Sequence, residues 1–204
     1  KCSAASRALI LRPYYDEFLK RLVGRAESLL VGNPLQRETD LGPLIDETAA
    51  DRYAAALAEA AARGRVHTGG RLQAGDLARG NYVSPAVVEV PADSWVWRKE
   101  LFAPLLAVTP VDSLEEALVA ANHTEYGLTA GFYGSEPGEI DRFLQEVEAG
   151  VVYVNRRAGA TTGAWPAVQP FGGWKLSGTT GKAAGGPHYL VQYLREQSRT
   201  IVTR

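Results

Sequence analysis

Short apolar runs alternate along this chain with segments whose apolar positions recur at helical spacing. ALILRP reads as a buried strand ended by Pro13. YYDEFLKRLVGRAESLLVG then sets Tyr15, Phe18, Leu19, Leu22 and Val23 on one helical face, with Gly32 as its stop. After the turn-rich NPLQRETDLGPLI, Asp46 is the expected N-cap of a second, alanine-rich helix, DETAADRYAAALAEAAARG, ending at Gly64. RVHTGG predicts a short strand, and YVSPAVVEV another, interrupted at Pro85.

The alternation continues downstream. LLAVTPVDSLEEALVAAN passes from a strand through Ser113, a cap with Glu116 in the capping-box position, into a helix. GLTAGFYG predicts a strand, SEPGEIDRFLQEVEAG a helix, and GVVYVN a fully buried strand. Trp95 and Trp97 in SWVWRKE alternate as a strand would. YLVQYLREQSRTIVTR reads as a helix-like piece followed by SRTIVTR, an exposed strand able to pair with another chain. Strands alternating with helices predict an α/β fold with a mostly parallel sheet covered by helices on both faces.

Composition narrows the function. Hydrophobic residues are 46% and charged residues 22% of 204, as in an ordinary globular chain. The net charge of −1, with both signs interspersed, leaves no electrostatic footprint for nucleic acid or an anionic membrane. A single cysteine rules out an internal disulfide framework, and no cysteine/histidine cluster has the spacing of a metal site. No apolar run is long enough to cross a bilayer and no signal pattern opens the chain, so a cytoplasmic setting is expected. With no methionine at all, a chain opening on Lys1 is expected to come from something longer.

Three places could carry chemistry. Cys2 in KCSAASR is either a small buried hydrophobe or a nucleophile: Lys1 precedes it, and small residues would let a substrate approach closely. Glu100 in RKELFAP is a surface carboxylate or a ligand group. The glycines of PFGGWKLSG make a turn or a close backbone approach. From Arg156 to Gly186 glycine, threonine and proline dominate, and irregular stretches of this kind carry sites on a rigid frame.

In order, KCSAASR, GNPLQRETDLGPLI, KELFAPLLAV, ANHTEYGLTAGFY, GVVYVN and PFGGWKLSG resemble the aldehyde dehydrogenase superfamily across essentially the whole chain, in the C-terminal part of that fold. TGAWPAVQPFGGWKLSG followed by AGGPHYL further resembles the branch that oxidises L-glutamate γ-semialdehyde to glutamate. The resemblance implies that Cys2 is the catalytic nucleophile. It implies that Glu100 accepts from the nicotinamide ribose hydroxyls of NAD, or NADP, and that Phe102 packs nearby. It assigns Ser3, Gly163 and Ala164 to the substrate α-carboxylate, with Thr162 as the alternative, and Phe171 to the aliphatic chain. Glycine at 163 suits this because backbone N–H groups can converge there on an anion.

Two domains are expected, a catalytic domain over 1–189 and an oligomerisation strand over 190–204 through which the protein forms a homo-oligomer. No G-x-G-x-x-G opens a βαβ unit, so the main cofactor domain is expected to be absent from this chain and the chain alone nearly inactive. Two other functions fit the sequence: a dehydrogenase for another aldehyde, and a non-catalytic assembly module.

Overall fold

The computed structural model describes residues 1–72, 75–156 and 169–203, which divide into two units, Lys1–Thr124 and Glu125–Arg204. In the first, β1 (Arg7–Leu11), β2 (Arg65–Arg71), β3 (Val83–Glu89) and β4 (Leu105–Val111) form one sheet in the order β1-β4-β3-β2. β4 runs parallel to both β1 and β3, and β2 closes the edge antiparallel to β3.

Side-chain alternation along these strands builds a layer on each face. Val87 and Val108, with Ala8, Ile10 and Leu106, meet Tyr15, Leu19, Leu22, Val23 and Ala26 of α1 (Arg12–Glu27). On the other face Ala86, Val88 and Ala107, with Leu9, cover Tyr53, Ala56 and Ala60 of α2 (Glu47–Arg63). The alanines let α2 lie close against the sheet, and Asp46 caps it by accepting from the Ala49 N–H at 2.7 Å. The Tyr53 hydroxyl donates to the Ser84 carbonyl at 2.5 Å and accepts from the Gly70 N–H at 3.0 Å, joining α2 to two strands. On the opposite face Glu89 accepts from the Tyr15 hydroxyl and meets His67 Nε2 at 2.6 Å.

α1 reaches only Glu27, so the predicted stop at Gly32 is several residues late. Pro13 does not merely end β1; it stands at the start of α1, where a missing N–H costs nothing. Pro85 does not interrupt β3. It faces the register irregularity in β2 between Thr68 and Gly70, and pairing with β4 begins only at Ala86, so no ladder bond needs its N–H. SWVWRKE is no strand. Ser94 accepts from the Val96 N–H and starts the one-turn α3 (Trp95–Arg98), with Trp97 buried.

Ser113 caps α4 (Leu114–Asn122) by accepting from the Glu116 N–H, and Glu116 reaches back to the Asp112 N–H, one residue beyond the usual capping-box partner.

In the second unit, β6 (Thr129–Phe132) and β7 (Val151–Val154) pair in parallel around α5 (Pro137–Glu146), with Phe132 and Phe143 stacked at 5.2 Å. β5 (Tyr126–Gly127) pairs antiparallel with β8 (Trp174–Lys175). β7 is half-buried beyond Val151 rather than wholly buried. The C-terminal helix contracts to a single 3-10 turn, Leu190–Tyr193, whose Leu190 and Val191, like the following Leu194, are largely exposed and gain little packing among the described residues to hold a longer one. Residues 198–203 of SRTIVTR pair with no strand among the described residues.

Candidate functional site

Cys2 and Ser3 occupy the corner of a turn closed by the Ala4 N–H donating to the Lys1 carbonyl at 3.1 Å. The thiol is exposed, while Ser3 is 7% exposed and anchors the turn. The chain then enters β1, where the Ser6 carbonyl accepts from the Ala107 N–H of β4 at 3.0 Å. Cys2 is thus an accessible thiol just ahead of a parallel strand that is half-buried, not buried as its apolar run suggests. It is not the small buried hydrophobe that a lone cysteine more often is.

Glu100 and Phe102 lie in the segment between α3 and β4. The Lys99 N–H donates to the Trp95 carbonyl to end α3, and the Pro104 carbonyl accepts from Ala86 at 2.8 Å. Leu101, 9% exposed, pins this segment inward and leaves its neighbours Glu100 and Phe102 outward. Phe102 is 63% exposed and takes a left-handed φ of 55°. Bulky residues rarely adopt that backbone, and such strain clusters where side chains are presented to ligands. Because β1 and β4 are parallel neighbours with Arg7 opposite Ala107, the Cys2 turn and the Glu100–Phe102 segment enter the sheet at the same end. About a hundred residues of sequence separate them.

Phe171 lies in the second unit, half-buried, paired with Ala184 through reciprocal N–H to carbonyl bonds of 2.9 Å. Its loop is built by close backbone contact. A Cβ on Gly150 would fall 1.9 Å from the Gly172 carbonyl oxygen, and one on Gly173 would fall 2.3 Å from the Ser177 Cβ. PFGG therefore packs main chain on main chain against the start of β7. Gly163, Ala164 and Thr162 lie outside the described residues.

Two anchors at the start of that segment carry no role in the sequence reading. Asn155, at a φ of 51°, accepts from the Gly134 N–H at 3.0 Å and donates to the Gly134 carbonyl at 2.7 Å. The Tyr133 hydroxyl donates to the Arg156 carbonyl at 2.8 Å. Asn tolerates the left-handed region, so the last residue of GVVYVN was the available signal. Lys175, in β8, forms an ion pair with Glu148. Among the described residues no group of three His, Cys, Asp or Glu side chains could hold a metal, and no helix is long and apolar enough to cross a membrane.

The model of the aldehyde dehydrogenase family matches residues 1–198. The chain belongs to the aldehyde dehydrogenase family. Within it, the chain is 37% identical over 202 residues to 1-pyrroline-5-carboxylate dehydrogenase 1 of Halalkalibacterium halodurans, covering 98% of this chain and 38% of that relative. The solved structure of 1-pyrroline-5-carboxylate dehydrogenase from Thermus with bound NAD superposes with a TM-score of 0.86 at 36% identity, over 96% of this chain and 36% of that one. Proline utilization A from Bdellovibrio bacteriovorus superposes at 0.84 with 39% identity, over 95% of this chain and 19% of the other. The chain thus spans well under half the length of the relatives it matches. The α/β fold expected from the alternation is the fold of these dehydrogenases.

Proposed function

We propose that this chain supplies the nucleophile and part of the cofactor and substrate contacts of an NAD- or NADP-linked dehydrogenase that oxidises L-glutamate γ-semialdehyde to L-glutamate. The observation that carries the reading is an exposed Cys2 entering β1 beside an exposed, strained Glu100–Phe102 segment entering β4. Identity to 1-pyrroline-5-carboxylate dehydrogenases over nearly the whole chain supports the substrate class.

Cys2 acts as thiolate. It adds to the aldehyde carbon to form a thiohemiacetal, and the backbone N–H of Cys2, which does not close the turn and has no backbone acceptor among the described residues, donates to the new oxyanion. Loss of hydride from that carbon leaves an acyl thioester, which water hydrolyses to the acid and the free thiol. Cysteine suits both halves of this sequence, being a soft nucleophile whose thioester stays reactive.

A bound nicotinamide dinucleotide supplies the hydride acceptor. The residues fit one: Glu100 is an exposed carboxylate with no partner among the described residues, able to accept from two ribose hydroxyls, and Phe102 is an exposed ring beside it. In the same proposal Ser3, Gly163 and Ala164 bind the α-carboxylate, and Phe171 packs on the aliphatic chain. Thr162 is the alternative donor. The 204 residues by themselves turn over little aldehyde, and residues 190–204, with Ile201 and Val202 more than four-fifths exposed, pair with another subunit.

Steady-state rates on the intact protein that carries these residues test the substrate. A kcat/KM for the semialdehyde about 100-fold above that for an unsubstituted aliphatic aldehyde of equal length is expected, since polar groups built to bind an anion are left unpaired without one. Equal values would give the site to another aldehyde.

A further inference from the structure

Arg7 opens β1, five residues after Cys2, and is half-buried. Its Nη1 donates to the Ala120 carbonyl at 3.1 Å and its Nη2 to the Ala121 carbonyl at 3.0 Å. Both carbonyls lie in the last turn of α4, where they have no partner within the helix and carry its partial negative charge. The guanidinium also stands 5.4 Å from the centre of the Trp97 ring. Trp97 is 2% exposed in α3, which ends at Arg98, two residues before Glu100. Other arginines here, Arg12, Arg21, Arg63 and Arg142 among them, pair with carboxylates on the surface. Arg7 instead spends a half-buried planar cation on neutral groups, which makes sense where rigid geometry rather than charge pairing is required.

We infer that Arg7 is a positioning residue that fixes the Cys2 turn relative to the Glu100–Phe102 segment, by joining the start of β1 to the end of α4 and to the Trp97 ring. The inference rests on the reading of Cys2 as nucleophile and Glu100 as a cofactor contact. It extends that reading to a residue that touches neither substrate nor cofactor. A shift of about 1 Å between two reacting partners costs on the order of 100-fold in rate, so one clamp on both segments has a large lever.

Cys2 is the sole cysteine, so a nitroxide attached there reports the turn directly. In this chain Arg7→Met, which keeps the apolar stem but removes the donors, should convert the label's immobilised spectral component into a mobile one with the far-UV spectrum unchanged. Arg7→Lys, which reaches one carbonyl and cannot stack flat on Trp97, should give an intermediate spectrum. If Arg7→Met does not fold, Arg7→Lys decides. A label equally mobile in the parent and in the folded variants overturns the inference. In the intact protein Arg7→Met should lower kcat per reactive Cys2 by about 10- to 100-fold while the KM for aldehyde holds. An unchanged kcat per reactive Cys2 also overturns it. Cys2→Ser separates the two claims: full activity in that variant would sink the nucleophile reading, whereas the label spectra still decide whether Arg7 orders the turn.

Discussion

Replacing Tyr53 by Phe removes one oxygen atom from the core of the first unit and nothing else. That oxygen donates to the Ser84 carbonyl at 2.5 Å and accepts from the Gly70 N–H at 3.0 Å, so its loss orphans one acceptor and one donor on adjacent strands. Each orphan costs about 1–3 kcal/mol when buried, and Ser84 and Gly70 are half-buried, so the total at neutral pH is about 2–3 kcal/mol. For a unit of this size that is a fall in Tm of roughly 6–12 °C.

A second signature follows from titration. Burial pushes the Tyr53 phenol up to about 12 from an ordinary value of 10. A group whose pKa is raised on folding contributes stability that is complete below its unfolded pKa and is lost as pH climbs through the folded one. The parent therefore loses stability between about pH 10 and 12 that the Phe variant cannot lose, and their difference should narrow across that window. Urea titrations of both proteins at neutral and alkaline pH measure it. A neutral-pH difference under about 0.5 kcal/mol, or one that stays constant to the alkaline end, would refute the reasoning.

Three further outcomes follow from the site. Gly150→Ala places a methyl 1.9 Å from a main-chain oxygen that no side chain can yield, so stability should fall by more than about 2 kcal/mol, read by thermal unfolding. Asn155→Ala loses both bonds to Gly134 and leaves a less tolerant residue at a φ of 51°. About 1–3 kcal/mol of destabilisation and a raised aldehyde KM in the intact protein are expected. Glu100→Gln keeps one acceptor oxygen but loses the charge, and should raise the NAD KM by roughly 10-fold with the thiol reactivity of Cys2 unchanged.

Much of the frame was legible because it rests on local chemistry. The caps Asp46 and Ser113, the α2 alanines and the branched runs of β3 and β4 each specify their element within a few residues. What escaped depends on distance. Whether SWVWRKE is strand or helix is decided by the Ser94 hydroxyl bonding the Val96 N–H, a contact that alternation does not report. Pro85 stays in its strand because of an irregularity in β2, a different segment. The length of the C-terminal helix depends on a packing partner that Leu190 and Leu194 lack among the described residues.

The site divides in the same way. Cys2, Glu100 and Phe102 are proposed from their motifs alone, whereas their entry into one end of one sheet is set by the parallel pairing of β1 with β4. Arg7 stands inside KCSAASR with nothing local to mark it, since its carbonyl partners lie more than a hundred residues away.

The most direct test of the proposed chemistry is mass spectrometry of the intact protein, acid-quenched during turnover of L-glutamate γ-semialdehyde with NAD. A glutamyl thioester on Cys2, absent from Cys2→Ser together with NADH formation, is the predicted result. Steady NADH formation by Cys2→Ser, or an acyl adduct on a residue other than Cys2, would contradict it.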